Sequence, residues 1–438
     1  MSAAFNIRSS RLRAMVVVVA AGGISAWAFS SARGSAPVER VPTALVRGTD
    51  DLIAQAQTRL RANPGNVTAL TDLAGASLVK VRESGDPSWY ATAETAARQA
   101  LAKEPSNPDA LDTMGTLALA RHRFAEALKW SLASQKAAPS RFAPAGIQAD
   151  ALIELGRYSQ GFATVQHRLD LKPDLGSYSR ASYARELVGD RTGATTLMGL
   201  AVESGRPGGE PRAWARVQVG LLRFGSGDLP GAERELLRAQ TERPNDARVL
   251  AGIARVRAAQ GRLPEAGELV SRAIDLVPLP EYPAFAAEIA AARHNPTGVQ
   301  QNLSLVRGMD KLLAANGVKT DLDLALIDAD WRRPNAAAIS RARAAYASRP
   351  GVIGDDILGW VLTRGGKCDE GLKYARRSLR LGTRDALVRF HVGMAASCAG
   401  QPAEARARLS EALTQNPNFS LRWAPIARQT LRRLEGSK

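Results

Sequence analysis

Five prolines constrain this chain more than any other feature. Pro105, Pro139 and Pro173 stand 34 residues apart, and Pro244 and Pro278 repeat the interval. A fixed period of that length means stacked supersecondary units, each closed by the same helix stop. It overrides the two or three globular domains that a length of 438 residues would otherwise suggest.

What lies between the prolines repeats as well. "RHRFAEALKWSLASQKAAP" (Arg121 to Pro139) carries small residues at Ala127, Ser131 and Ser134, and "GRLPEAGELVSRAIDLVP" (Gly261 to Pro278) has Ala266, Val270 and Ala273 at matching offsets. Two antiparallel helices that cross closely need small residues at the crossing, and the proline then ends the second helix. Numbering each closing proline as position 32, position 8 is small in Ala74, Gly115, Ala149, Gly220, Ala254 and Gly393. Position 20 is Ala or Gly in Ala93, Ala127, Gly161, Ala194, Ala232, Ala266, Ala338, Gly371 and Ala405. Position 27 gives Ala100, Ser134, Ala201, Ala239, Ala273, Ala345, Ser378 and Ala412, while Arg168 breaks the rule. The turns "GRYSQG", "GDLPGA" and "GRLPEA" join first to second helix.

On these residues the chain resembles the tetratricopeptide repeat family over most of its length. The resemblance implies an all-α, right-handed superhelical solenoid of antiparallel helix pairs, with nine or ten units between Pro64 and Pro417. Glu281 to Asn316 fits worst and reads as a degenerate pair. The expected division is 50–64 as an N-terminal capping helix, 65–417 as the solenoid and 418–438 as a C-terminal capping helix. In that last helix Trp423, Ile426, Ala427, Thr430 and Leu431 form one buried stripe, and the arginines are expected to face water.

The start of the chain is of another kind. "MSAAFNIRSSRLR" has three arginines and no acid, and Ala14 to Phe29 is an uncharged, mostly apolar run. Residues 1–32 read as a secretory signal or, uncleaved, an N-terminal membrane anchor, with 33–49 as linker. Arg8, Arg11 and Arg13 keep the start inside, so either reading exports the repeats, to periplasm, exterior or membrane surface.

The formal net charge is +17, and 49 of the 59 basic residues are arginine, as a GC-rich bacterial genome tends to encode. They are dispersed. The densest cluster, "RRSLRLGTR" (Arg376 to Arg384), lacks the aromatic interleaving of a single-strand binder, so no nucleic acid is expected. A solvated basic face or an anionic envelope polymer are the two readings of the charge. His122, His167, His294 and His391 are far apart, with no metal-ligand spacing, and no phosphate loop or nucleophile elbow is present. No catalytic residue, metal or cofactor is assigned.

Function then falls to surface. In the resembled family the concave wall is lined by positions 2, 5, 9 and 12 of each first helix and usually binds an extended partner. Position 5 reads Asp112, Gly146, Val217, Ala251, Asp323 and Asp356, and position 9 reads Thr116, Asp150, Leu221, Arg255, Ile327 and Trp360. The Lys/Arg-and-Asn clamp for a C-terminal carboxylate is therefore not carried over. Instead Asp323, Asp330, Asp356 and Trp360 suggest an acidic patch with an aromatic floor, suited to an Arg- or Lys-rich protein segment. The plainer alternative is helix-start acids and a half-buried Trp. The expectation is an exported scaffold for a protein partner in a bacterial envelope. The alternatives are a module for an anionic polymer or small ligand, or an enzyme with an unrecognised site. Finally, the register implied by the resemblance puts Cys368 at the start of one second helix and Cys398 near the end of the next first helix, side by side. In an exported chain they pair as a disulfide, or else simply fill helix crossings.

Overall fold

A computed structural model describes residues 48–436. The signal or anchor segment and nearly all of the linker lie outside the described residues. Twenty-two helices and no strand are present among the described residues. α1 (Thr49–Ala62) precedes ten antiparallel pairs. Units one to three are α2 (Val67–Ser84) with α3 (Trp89–Lys103), α4 (Pro108–Ala120) with α5 (Phe124–Ala137), and α6 (Ala143–Glu154) with α7 (Tyr158–Leu171). Units four to six are α8 (Leu175–Leu187) with α9 (Arg191–Ser204), α10 (Glu210–Gly225) with α11 (Leu229–Glu242), and α12 (Ala247–Ala259) with α13 (Leu263–Leu276). Units seven and eight are α14 (Glu281–Ala292) with α15 (Pro296–Ala315), and α16 (Asp321–Trp331) with α17 (Ala336–Tyr346). Units nine and ten are α18 (Val352–Arg364) with α19 (Cys368–Ser378), and α20 (Ala386–Cys398) with α21 (Pro402–Gln415). α22 (Trp423–Glu435) follows. The worst-fitting stretch is thus a real pair whose second helix, α15, is the longest among the described residues at 20 residues.

Local chemistry sets these boundaries. Asn66, Asn107, Asp174, Asp190, Asp228, Asn295, Asn335 and Asp385 each accept a first-turn backbone N–H and so cap a helix. The small positions sit at the crossings: Ala93, Ala127, Ala232, Ala266 and Ala405 are wholly buried, as are Ala100, Ala239, Ala273 and Ala412. A Cβ on Gly220 would come within 2.7 Å of Leu236 Cγ in the paired helix. Unit eight departs from the expected register. There Ala338 and Ala345 are only half-buried, and Ile339 with Ala342 is buried instead. At the exception, Arg168, the side chain is buried and bonds Asp174 at 3.2 Å.

The solenoid closes on itself. The turn after each early first helix meets the turn before the first helix six units later. His122 Nδ1 lies 3.0 Å from the Lys319 carbonyl, 197 residues on, and Arg123 reaches the Gly317 carbonyl. Arg349 bonds Glu154 at 2.5 Å across 195 residues, and the Val352 N–H donates to Tyr158 Oη. Gly189 packs on Gly382, Gly85 on Val277 and Pro278, and Asn416 donates to the Phe224 carbonyl. One superhelical turn takes six units, and the second turn rests on the first through five consecutive ledges.

This winding buries the inner helices. Every residue from Ala110 to Leu119 of α4 and from Gly354 to Thr363 of α18 is buried. A helix apolar all round needs covering on all sides, and here the tight coil supplies it.

Candidate binding surface on the inner wall

Against that sealed interior, α14 and α16 stand out. Glu281, Glu288, Asp323, Ile327 and Asp330 are only half-buried, so this part of the wall keeps an accessible, acidic face. Burial raises the carboxyls of Glu281 to about 7 and of Asp330 to about 6, and pushes Glu288 up. One oxygen of Glu281, Oε2, is buried without a partner. Arg255, whose guanidinium lies 4.6 Å over the Phe285 ring, acts on Glu281 in the opposite direction to burial.

Three of the four residues singled out in the sequence come together. Trp360 is 1% exposed and donates from Nε1 to Asp330 Oδ1 at 2.8 Å. Its ring stacks on His391 at 4.3 Å, and His391 Nδ1 bonds Asp356 at 3.0 Å. Burial works against a charge on His391, but Asp356, Asp330 and Asp385 outweigh it and its pKa is raised. Asp356 is buried, so it is an internal ion-pair partner and not an exposed acid. Asp323 is elsewhere. It faces Arg349 at 3.4 Å and His122 at 3.5 Å, on the ledge between unit two and units eight and nine. Cys368 and Cys398 are disulfide-bonded with a Cα–Cα distance of 5.2 Å, joining α19 to α20.

Sequence reasoning missed what covers the aromatic floor. The non-helical stretch from Asn416 to Arg422, with Trp423, crosses the inner wall and touches first helices of four successive units. Ser420 Oγ donates to Glu288 of α14 at 3.1 Å, and Leu421 packs on the apolar cluster that spans α12 to α14. Arg422 donates from Nε to the Asp330 carbonyl of α16 at 3.1 Å and lies 4.2 Å over the Trp331 ring. Trp423 Nε1 donates to Asp330 Oδ1 at 3.1 Å and meets Trp360 of α18 edge-on at 5.2 Å. Phe419 and Trp423 each lie 5.5 Å from the Phe390 ring of α20. The expectation that the terminal arginines face water thus holds for exposed Arg432 and Arg433 but fails for Arg422, which the Trp331 face and the Asp330 carbonyl draw inward. The available signal was the pairing of arginine with tryptophan just before the last helix.

Three of the four arginines in the densest basic cluster are ion-paired, with two carboxylates between them. Arg376 pairs with Glu404 at 2.5 Å, and both Arg377 and Arg380 pair with wholly buried Asp355. No helix among the described residues is long and apolar enough to cross a membrane.

Residues 220–279 match the family model described as tetratricopeptide repeat. No curated protein matches the sequence. Among solved structures, a tetratricopeptide repeat protein from Parabacteroides merdae is 16% identical with a TM-score of 0.40, covering 56% of this chain and 98% of that one. The Cut9 and Hcn1 hetero-tetramer of the APC/C gives 14% identity and 0.38, covering 88% and 93%. Yeast Tom70 gives 12% and 0.32, covering 89% and 96%. With ten helix pairs, small residues at their crossings and a tetratricopeptide repeat match in units five and six, the chain is an all-α helical-repeat solenoid that carries tetratricopeptide repeats.

Proposed function

We propose that this chain is a non-enzymatic scaffold, exported to a bacterial cell envelope, that holds a protein partner. One observation carries the partner class: the inner wall of units seven to ten already holds a turn of this chain's own polypeptide, Phe419 to Trp423, through polar and aromatic contacts from successive first helices. A wall that binds chain in this way is suited to a protein segment. Export is supported by the arginine-led apolar run at the start of the sequence and by the Cys368–Cys398 disulfide, which persists in oxidising compartments.

The test is co-purification of the secreted form from its own envelope. A protein retained in stoichiometric amount, with binding that weakens only modestly as salt rises, supports the scaffold. Retention of an anionic polymer with a steep salt dependence would replace it with the polymer reading.

A further inference from the structure

Stacking leaves one edge of the coil bare, and that edge carries unpaired basic charge. In units one to five the turn from first to second helix is covered by the second superhelical turn. In units six to ten the corresponding turns are 260–262, 293–295, 332–335, 365–367 and 399–401, and no such layer lies over them among the described residues. A Cβ on Gly261 or Gly400 would meet open space, whereas one on Gly85 or Gly189 would meet the covering turn.

These five turns hold Arg262, Arg293, Arg332, Arg333 and Lys367, all exposed, and no acid. Arg262 has a carboxylate partner, Glu265. The other four have no ion pair among the described residues. The opposite edge differs. The turns before the first helices of units one to six set Arg141, Lys172, Arg206 and Arg243 against Glu104, Asp174 and Asp246. Three of those four cations, Arg141, Lys172 and Arg243, are ion-paired. The bare edge is therefore more than the basic composition showing through.

Its charges are also drawn together. A Cβ on Gly366 would lie 2.8 Å from Arg333 Nη2, so the guanidinium of one turn reaches the next, where Lys367 follows. Like charges gathered without acids repel one another, and an anionic surface relieves that repulsion. Arginine takes phosphate oxygens two at a time.

Successive turns along one edge make a face and not a groove, which suits an array of phosphates better than a single polymer strand. The start of the chain brings such an array within reach. Thr49 donates to Glu83 at 2.7 Å, two residues before Gly85 of the first ledge, so the described chain begins one second-turn helix below the bare edge. A helix such as α13, with 14 residues, spans about 21 Å. Residues 33–47 extend to about 50 Å at most, enough to join that point to a membrane holding Ala14–Phe29.

We propose that the bare edge of units six to nine docks on an anionic phospholipid surface, with Arg293, Arg332, Arg333 and Lys367 meeting its phosphates. The edge is separate from the inner wall, so the coil can rest on a membrane while a partner is held inside. From the exported-scaffold reading this takes only the nearness of a membrane.

The experiment mixes the full chain with vesicles of phosphatidylcholine alone or with phosphatidylglycerol, and reads the bound fraction by co-sedimentation. The apolar run binds both compositions, so the readout is the preference for the anionic one. Arg293→Gln, Arg332→Gln, Arg333→Gln and Lys367→Gln together should lower that preference at least about tenfold. Arg61→Gln, Lys103→Gln, Lys136→Gln and Arg206→Gln remove as much charge from exposed positions at the opposite edge and should leave most of the preference in place. Equal losses would mean attraction by net charge alone and overturn the site, as would an edge variant that partitions like the parent. An edge variant that keeps its lipid preference but loses retention on immobilised polyphosphate would make the occupant a polymer and end the lipid proposal. Should the edge variant fail to fold, hydrogen exchange on the unaltered chain decides. Slower exchange at 293–295, 332–335 and 365–367 on anionic vesicles, with 104–107 and 172–174 unchanged, supports docking. Slowing at both edges, or at neither, overturns it. Partner co-purification is read separately: a retained partner without lipid preference removes this proposal and leaves the scaffold standing.

Discussion

Arg349 Nε donates to Glu154 Oε2 at 2.5 Å, and both residues are buried although 195 positions separate them. The pair is one rung of a ladder of contacts between the first and second superhelical turns, and it carries a direct consequence for stability. Removing Arg349 leaves the buried Glu154 without its cation, whereas removing Glu154 leaves Arg349 with Asp323 at 3.4 Å, so Arg349→Met should cost about 3–5 kcal/mol, Glu154→Gln less, and the double variant less than the sum. A double-mutant cycle by urea unfolding measures this coupling. Additive effects would mean that the two turns do not touch there.

The fourth ledge depends on a glycine. Gly189 has φ +75°, and a Cβ there would lie 2.3 Å from the Gly382 carbonyl oxygen in the next turn. Gly189→Ala therefore meets both left-handed strain of about 1–2 kcal/mol and a backbone clash. We expect a melting temperature several degrees lower, with loss of exchange protection concentrated at Gly382–Asp385. Wild-type stability in this variant would refute the close approach.

Most of the pair architecture was legible, for a physical reason. Positions 8, 20 and 27 are crossings where only small side chains fit, so they leave a periodic mark in the sequence. Unit eight blurred the mark because the buried residues of α17 are Ile339 and Ala342, between the expected small positions Ala338 and Ala345. The six-unit turn left no such mark. It arises from small packing angles accumulated over units, and its contacts join residues nearly 200 positions apart, such as His122 and Lys319. The candidate site was legible in half. Register put Asp330, Asp356 and Trp360 on inner faces, but no local pattern said that Trp423 would cover Trp360 or that His391 would neutralise Asp356.

Acidification should stabilise this protein, against the usual trend. Burial raises Glu186 to about 8, Glu281 to about 7, and Asp330 and Asp385 to about 6. Each is raised in the folded state, so folding takes up protons and stability falls as pH rises through those values. His391, also raised, acts in the same direction. Arg191, lowered to about 8 by burial, opposes only above that value. Glu94, Asp174, Glu233 and Asp246 are lowered, so their contribution is lost only in stronger acid. The melting temperature should be higher near about pH 5.5 than near about pH 8, and Glu186→Gln should raise the value at the higher pH. A flat or rising profile between those points would contradict the assignment.

The disulfide between Cys368 and Cys398 closes a span with a sequence separation of 30. Reduction, or Cys368→Ser with Cys398→Ser, should cost about 3–4 kcal/mol in the chain-entropy account. Thiol labelling of unreduced, secreted protein under denaturant should find no free cysteine. Two labelled cysteines would show that the residues only pack.

Stacking of two superhelical turns is the feature from which the sealed inner helices and the seated C-terminal stretch both follow. Small-angle X-ray scattering on the chain from residue 48 onward tests it most directly. Two stacked turns predict a radius of gyration near that of a compact chain of this size, about 21–23 Å. Ten helix pairs laid side by side at the ~10 Å width of a helix would instead give roughly 30 Å, and that result would contradict the stacking.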